Sequence, residues 1–287
     1  MSPSRRRVVA MMTAALGAAF VVIGRAQSPP ELHVMTSGAF TAAHLALAPE
    51  FERASGAKVF TDTTTIGTGD TSIEARLTRG ETADVVIVDA TTLDRFISGG
   101  LVVRGTRQDV ARSSIGMAVR KGAPKPDIST VEGFRRALLG ASSIAYSASV
   151  SGVYLTTEVF QSLGIAEQVL PKSRRVVGER VGAVVARGEA EIGFQQMSEL
   201  MPVPGIDLVG PLPEGIQRVT VFAAGVGTPA RQAELARRYI AFLASAAAAP
   251  AIERTALEPV AVRVPGPGAG YNRRARGTGP AALSPAS

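Results

Sequence analysis

Residues 142–155, Ser-Ser-Ile-Ala-Tyr-Ser-Ala-Ser-Val-Ser-Gly-Val-Tyr-Leu, constrain this chain more than any other stretch. A short apolar run passes into a cluster of hydroxyls (Tyr146, Ser147, Ser149, Ser151) with one glycine, Gly152, and then into apolar residues at helical spacing over 153–163. That order predicts strand, polar loop, helix. The first N–H groups of a helix lack intrahelical partners and carry partial positive charge, so a hydroxyl-rich turn in front of one suits an anion. The plainer reading of the same serines is as caps, with Ser149 or Ser151 accepting from the first turn.

The same order recurs along the chain. A strand over 31–36 ends at Thr36-Ser37-Gly38-Ala39, and Phe40, Ala43, Leu45, Leu47, Phe51 and Ala54 then keep helical spacing. A strand over 58–62, a hydroxyl-rich loop over 63–72, a helix over 73–79 and the apolar run 83–88 follow, the last of a kind that is buried on both faces of a sheet. Alternating strands and helices predict a parallel sheet covered by helices, which binds ligands at the carboxyl ends of its strands, where these polar loops fall. A strand over 114–120 runs into Lys121-Gly122-Ala123-Pro124-Lys125-Pro126, and the pattern then restarts, with helices over 131–139 and 182–188 and strands at 144–146, 175–177 and 192–194. A further apolar strand, 217–225, and an amphipathic helix, 229–244, close the ordered part. The expected fold class is therefore α/β, with two lobes of mostly parallel sheet flanked by helices. One lobe is formed by 31–113 with a return over 218–260, and the other by 114–217.

The charge sits at the ends. Residues 1–30 contain Arg5, Arg6, Arg7 and Arg25 without an acid, and residues 261–287 contain Arg263, Arg273, Arg274 and Arg276 without an acid. Taking these eight arginines from the formal net charge of +7 leaves −1 for 31–260, which sets nucleic acid aside as a partner. Three arginines, an apolar run over 8–23 and then Gly24-Arg25-Ala26 follow the plan of a secretory signal, so 1–26 is expected to be removed on export to a bacterial periplasm, by the general secretory or the twin-arginine route. The apolar run is short for a membrane span, and no stable membrane insertion is expected after cleavage. A Pro-, Gly- and Ala-rich end, 261–287, reads as a disordered tail. The absence of cysteine excludes disulfides, thiol nucleophiles and thiolate metal sites. His33 and His44 have no acid cluster beside them, so no metal site is expected.

The succession of signal, strand, Thr-Ser-Gly, hydroxyl loop, Ala-Asp-Val-Val-Ile and Ser-Gly-Val-Tyr resembles the periplasmic molybdate-binding proteins, type II solute-binding proteins of ABC importers, over roughly 31–259. The resemblance implies a monomer that holds a small anion between two lobes by hydroxyls and backbone N–H groups, with no cofactor and with an ABC permease as a possible partner. It implies ligand contacts at Ser37 and Gly38, at Thr68, Gly69 and Thr71, at Ser151 and Gly152, and at Gln196, where molybdate binders often place a tyrosine. Several residues depart from the molybdate pattern. Asp70 would repel a dianion, Arg180 beside Glu179 suits a carboxylate through a bidentate contact, and Gln196 replaces the tyrosine.

A narrower resemblance, carried by Gly69-Asp70-Thr71, Ala145-Tyr146-Ser147, residues 151–155 and 182–190, and Gly193-Phe194-Gln195-Gln196, is to the aconitate isomerase subgroup on the same scaffold. It implies a di- or tricarboxylate ligand and an allylic proton shift between trans- and cis-aconitate, with Asp70, Tyr154 or Glu179 moving the proton. A binding module without catalysis, delivering molybdate or another small anion to a transporter, is the alternative. Several residues also have plainer structural readings. Asp84 is a hydrogen-bonding partner inside its strand, Asp70 a cap for a helix starting at Thr71, Arg180 a surface arginine, and Arg187-Gly188-Glu189 a helix C-cap turn.

Overall fold

A computed structural model describes residues 28–63 and 69–260. The expected signal at 1–26, the tail from 261 and the middle of the hydroxyl loop, including Thr68, lie outside the described residues.

The first lobe starts with β1 (Glu31–Thr36), α1 (Gly38–Ser55), β2 (Lys58–Thr63), α2 (Ile73–Thr78), β3 (Val85–Asp89), α3 (Ala90–Ser98) and β4 (Gln108–Ser113). The second lobe comprises β5 (Ile115–Arg120), α4 (Val131–Gly140), β6 (Ile144–Ser147), α5 (Val150–Tyr154), β7 (Ser173–Val176), β8 (Ile192–Gln196) and β9 (Ile206–Pro211), with short helices between. The chain then returns to the first lobe through β10 (Thr220–Val226), the helix Ala233–Leu243 and β11 (Glu258–Pro259). Among the described residues the strands form one sheet in the order β11-β4-β10-β3-β1-β2 and another in the order β7-β6-β8-β5-β9.

Both sheets are mixed rather than mostly parallel. β1 runs parallel to β2 and β3, and β6 runs parallel to β7 and β8. The strands next to the lobe crossings, β4, β5 and β10, pair antiparallel. A strand entering from the other lobe arrives without a covering crossover helix, and that helix is what enforces parallel pairing. Each sheet is covered on both faces. Phe40, Leu47, Tyr239 and Leu243 pack on one side of the first, and Leu77, Leu93 and Phe96 on the other. Phe134, Leu155, Phe160 and Phe194 fill one side of the second, and Val181, Val184 and Val185 the other. β3, the run expected to be buried on both faces, has no exposed residue and sits between β1 and β10.

Local signals explain the element ends. α1 stops at Gly56, whose φ of 73° lets its N–H reach the Glu52 carbonyl. Arg187-Gly188-Glu189 forms the expected C-cap turn, with Gly188 at φ 78° and the Glu189 N–H donating to Val184 O. Asp84 is the structural partner its strand context suggested. Its buried carboxylate accepts from the N–H groups of His33 (2.8 Å), Arg231 (2.7 Å) and Gln232 (2.8 Å), tying β1 to the turn that opens the helix Ala233–Leu243.

Among the described residues two crossings join the lobes, one between Ser113 and Ile115 and one through Gln217–Val219. Gln217 fastens them together, accepting from Ile115 N–H (2.9 Å) and donating to Ile115 O (2.9 Å) and Leu212 O (3.3 Å).

Candidate functional site

A cavity of about 660 Å³ opens between the lobes, a volume in the range of small-molecule sites. Among the described residues four helix N-termini contribute to its wall: Ser37 in front of α1, Ser72, Ile73 and Glu74 at the start of α2, Ala90, Thr91 and Thr92 of α3, and Ser149 and Val150 at the start of α5. Each brings its partial positive charge to one space, which suits an anionic ligand. Asp89 caps α3 by accepting from Thr92 N–H at 2.9 Å. Ser37 behaves differently: its N–H donates to Ile87 O (2.8 Å), yet its buried Oγ has no partner among the described residues. A buried hydroxyl without a partner forfeits free energy that a ligand in the cavity can restore.

The serine cluster of 142–155 is built as a chain of hydroxyls. Ser147 Oγ lies 2.7 Å from Ser149 Oγ, which lies 3.2 Å from Ser151 Oγ, and Ser149 N–H donates to Ser147 Oγ at 3.0 Å. Gly152 is required here, since a Cβ on it would stand 1.7 Å from the Ser147 carbonyl oxygen. The helix passes so close to the strand end that only hydrogen fits. A π turn over Leu155–Val159 follows directly after the cavity-lining Tyr154 and contains the cavity-lining Glu158.

Two ion pairs line the same cavity. Arg95 of α3 pairs with Glu74 of α2, and Arg218 from the second crossing holds Glu158 in a bidentate contact at 2.8 and 2.5 Å. The Arg218 hydrogen bonds keep the Glu158 carboxyl below its usual range. The Arg218 guanidinium also lies 3.8 Å above the Tyr154 ring, and Tyr154 Oη donates to Ile216 O at 3.1 Å.

Of the residues expected from sequence, Ser37 and Tyr154 line this cavity. Gly38 opens α1 beside it. Gly69, Asp70 and Thr71 sit exposed before α2, Gly69 at φ 140°. The expected Asp70 cap is corrected, because the helix starts at Ile73 and Ser72 caps it, accepting from Ala75 N–H at 3.2 Å. Ser151 and Gly152 are buried behind the wall rather than in it. The helix begins at Val150, ahead of the start its apolar spacing suggested, and Gly152 N–H is occupied by Ser149 O at 3.1 Å.

Glu179 and Arg180 stand outside the wall of this cavity. Glu179 is exposed and held by Arg187 at 2.9 and 3.0 Å, which keeps its carboxyl below the usual range. Gln196 is buried at the hinge, its amide 2.8 Å from Thr220 Oγ1. With the amide oxygen turned to that hydroxyl, its nitrogen donates to Ser113 O (3.3 Å) and Ser114 O (3.2 Å), so it braces the crossings.

Sequence reasoning missed Arg95, Arg218, Glu158 and Glu199. Glu199 lies on the helix Met197–Leu200, which packs against α1 of the other lobe. It is fully buried, and its Oε1 has no partner among the described residues. Burial pushes its carboxyl up to about 7, against the opposing charge of Arg180 and a hydrogen bond with Gln195. A glutamate three residues after a buried strand, in a segment too short to expose one helix face, was the available signal. His44 is buried between Tyr239 Oη (2.6 Å) and Thr61 Oγ1 (2.8 Å), and burial lowers it to about 4. Among the described residues no group of acids and histidines is placed to hold a metal ion, and no helix is long and apolar enough to cross a membrane.

The chain is similar to known proteins at three levels. It is 42% identical over 252 residues to an aconitate isomerase from a Pseudomonas species, a match covering 86% of this chain and 96% of that protein. In fold it is similar to the periplasmic molybdate-binding protein of Azotobacter vinelandii, with a TM-score of 0.64 and 19% identity over 79% of this chain and 98% of that one. The substrate-binding domain of a putative molybdenum ABC transporter from Clostridium difficile gives a TM-score of 0.61 and 17% identity over 80% of this chain and 99% of that one. The family model for bacterial extracellular solute-binding proteins matches residues 32–257, and the chain belongs to that family.

Proposed function

We propose that this protein is an exported isomerase that interconverts trans- and cis-aconitate in the interlobe cavity. The observation that carries the reading is the 42% identity to an aconitate isomerase across nearly the whole of both chains. The cavity chemistry agrees with it: helix N-termini, an unpartnered serine hydroxyl and two guanidiniums face a space of organic-ligand size.

The reaction moves one proton. A base takes a proton from the methylene carbon of aconitate, the electron pair spreads over the allylic system toward the carboxylates, and a proton returns to the former vinylic carbon. The double bond shifts by one position and the product is the geometric isomer, with no net change in composition. This requires fixed carboxylates, so that the carbanion is held in one orientation, and an acid–base group within reach of both carbons. Ser37 and the N-termini of α3 and α5 serve as anchors in this reading. Of the three proton-transfer candidates, Tyr154 is the one in the cavity wall, with its Oη anchored on Ile216 O. Asp70 stands at the exposed edge of the hydroxyl loop, and Glu179 is held in the surface network with Arg187.

One experiment tests the function. Purified protein is incubated with trans-aconitate, cis-aconitate is followed, and the melting temperature is recorded in parallel. The reading expects turnover and stabilisation, the latter about 2.7 kcal/mol at a hundredfold excess over Kd. Stabilisation without turnover favours a transport binding protein, the alternative that the family supports. Stabilisation by molybdate alone overturns the carboxylate reading. Tyr154→Phe should abolish turnover while keeping trans-aconitate binding, and full turnover in that variant excludes Tyr154 as the proton carrier.

A further inference from the structure

The cavity wall carries three carboxylates, Glu74, Asp89 and Glu158, and two guanidiniums, Arg95 and Arg218, among the described residues. As it stands, this set opposes a polycarboxylate, because acids outnumber bases. The pairing changes that picture. Asp89 is engaged by the N-terminus of its own helix, whereas Glu74 and Glu158 hold Arg95 and Arg218. Both ion pairs are about half exposed, and pairs of that kind contribute little to stability. A ligand carboxylate can therefore take the place of either glutamate at small cost, while the released glutamate turns to solvent. Arg218 is already positioned for the exchange. Its guanidinium carbon lies 3.8 Å from the centre of the Tyr154 ring, which holds it at the wall, and a planar fork recognises a carboxylate through two parallel hydrogen bonds. The two arginines come from different parts of the wall, α3 of the first lobe and the crossing segment beside the second lobe's Glu158. A ligand with two or more carboxylates can engage both at once.

We propose that Arg95 and Arg218 are the two carboxylate clamps of the cavity, and that Glu74 and Glu158 are intramolecular stand-ins that a ligand carboxylate displaces. This rests on the carboxylate reading of the site and adds to it the residues that decide specificity. It also separates this cavity from one built of neutral donors alone: selectivity for a second carboxylate comes from Arg95 and Arg218, and the glutamates tune affinity by competition.

The test is calorimetric titration of the full chain with trans-aconitate, tricarballylate, succinate and molybdate, at two salt concentrations. Arg218→Gln and Arg95→Gln should each weaken trans-aconitate at least tenfold, and Glu158→Gln should bind it several-fold more tightly than the parent. A purely structural ion pair would not give that opposite sign, since removing either partner would then weaken binding alike. Arg218→Lys, which keeps the charge but loses the fork, gives the same answer if Arg218→Gln does not fold, with affinity between parent and glutamine variant. Trans-aconitate binding within twofold of the parent in both arginine variants overturns the clamp while leaving the proposed function standing. Arginine-dependent binding of succinate or tricarballylate, with none of trans-aconitate, keeps the clamp and removes the proposed function. If molybdate binds and no carboxylate does, both fall.

Discussion

Replacing Glu199 by glutamine isolates a proton linkage that the wild-type pH profile should conceal. Burial penalises the charge of the Glu199 carboxyl and raises its pKa to about 7 in the folded protein, from the ordinary 4.5. Folding thus favours the protonated form: the stability is complete below pH 4.5, is lost as pH rises toward 7, and levels off above. Since one pKa unit corresponds to about 1.4 kcal/mol, the loss is about 3 kcal/mol. His44 works in the opposite direction. Its folded value of about 4 lies below the ordinary 6.5, so its contribution is present above pH 6.5 and is lost as pH falls toward 4, again by about 3 kcal/mol. Between pH 4.5 and 6.5 the two slopes nearly cancel in the parent protein. In Glu199→Gln only the histidine slope remains, and stability should fall toward acid by about 1.4 kcal/mol per pH unit. The assay is urea or thermal unfolding of parent and variant at half-unit steps from pH 4.5 to 8, read as the difference between the two. Any fixed cost of the substitution appears at pH 4.5, and the difference should then grow in the variant's favour by about 3 kcal/mol, or roughly 6–12 °C in Tm for a chain of this size. A difference that stays constant across the range refutes the reasoning, since it would mean that Glu199 ionises as readily in the folded protein as in the unfolded chain.

Three further outcomes follow from the packing. Gly152→Ala places a methyl against the Ser147 carbonyl at a distance no Cβ tolerates, and should cost about 3 kcal/mol, seen as a lower urea midpoint. Asp84→Ala leaves three N–H groups without their acceptor and should lower stability by about 3 kcal/mol, with faster amide exchange at Arg231 and Gln232; unchanged exchange there would count against the assignment. Gln217→Ala leaves the Ile115 N–H without its acceptor, while the Ile115 carbonyl keeps the Leu212 N–H, and should cost about 2 kcal/mol, with increased amide exchange confined to the crossings.

The alternation of strand and helix is legible because it is written in short-range pattern. The range of β1, the apolar run that forms β3, α1 with its 3.6-residue spacing, the Gly188 turn and the role of Asp84 all follow from a residue and its near neighbours. The two-lobed α/β class comes from the restart of that pattern after Pro126. α3, β4 and β9 escape such a reading: α3 is amphipathic, with Leu93, Phe96 and Ile97 at helical spacing, but spans only nine residues, β4 carries charges among its buried positions, and β9 is only half-buried at the edge of its sheet.

The candidate site is legible in its hydroxyls and not in its charges. Ser37 and the 142–155 cluster announce themselves, because a small polar residue between a strand run and a helical run marks a helix start, although neither Ser37 nor Ser149 caps its helix with its side chain. Which arginine faces the cavity is decided by tertiary structure alone. Arg180 and Arg218 are each an arginine beside a strand or helix end, and only the return of β10 beside β3 carries Arg218 over Tyr154 while leaving Arg180 next to Glu199. Likewise Gln196 and Gln217 look alike in sequence, yet both become braces of the crossings, because the strands that meet there lie far apart in the chain. Propensity and periodicity act over a few residues and survive in any context. The environment of a side chain, and so its charge state and its partners, is set by whatever distant segment packs across from it, which the sequence encodes only through the fold as a whole.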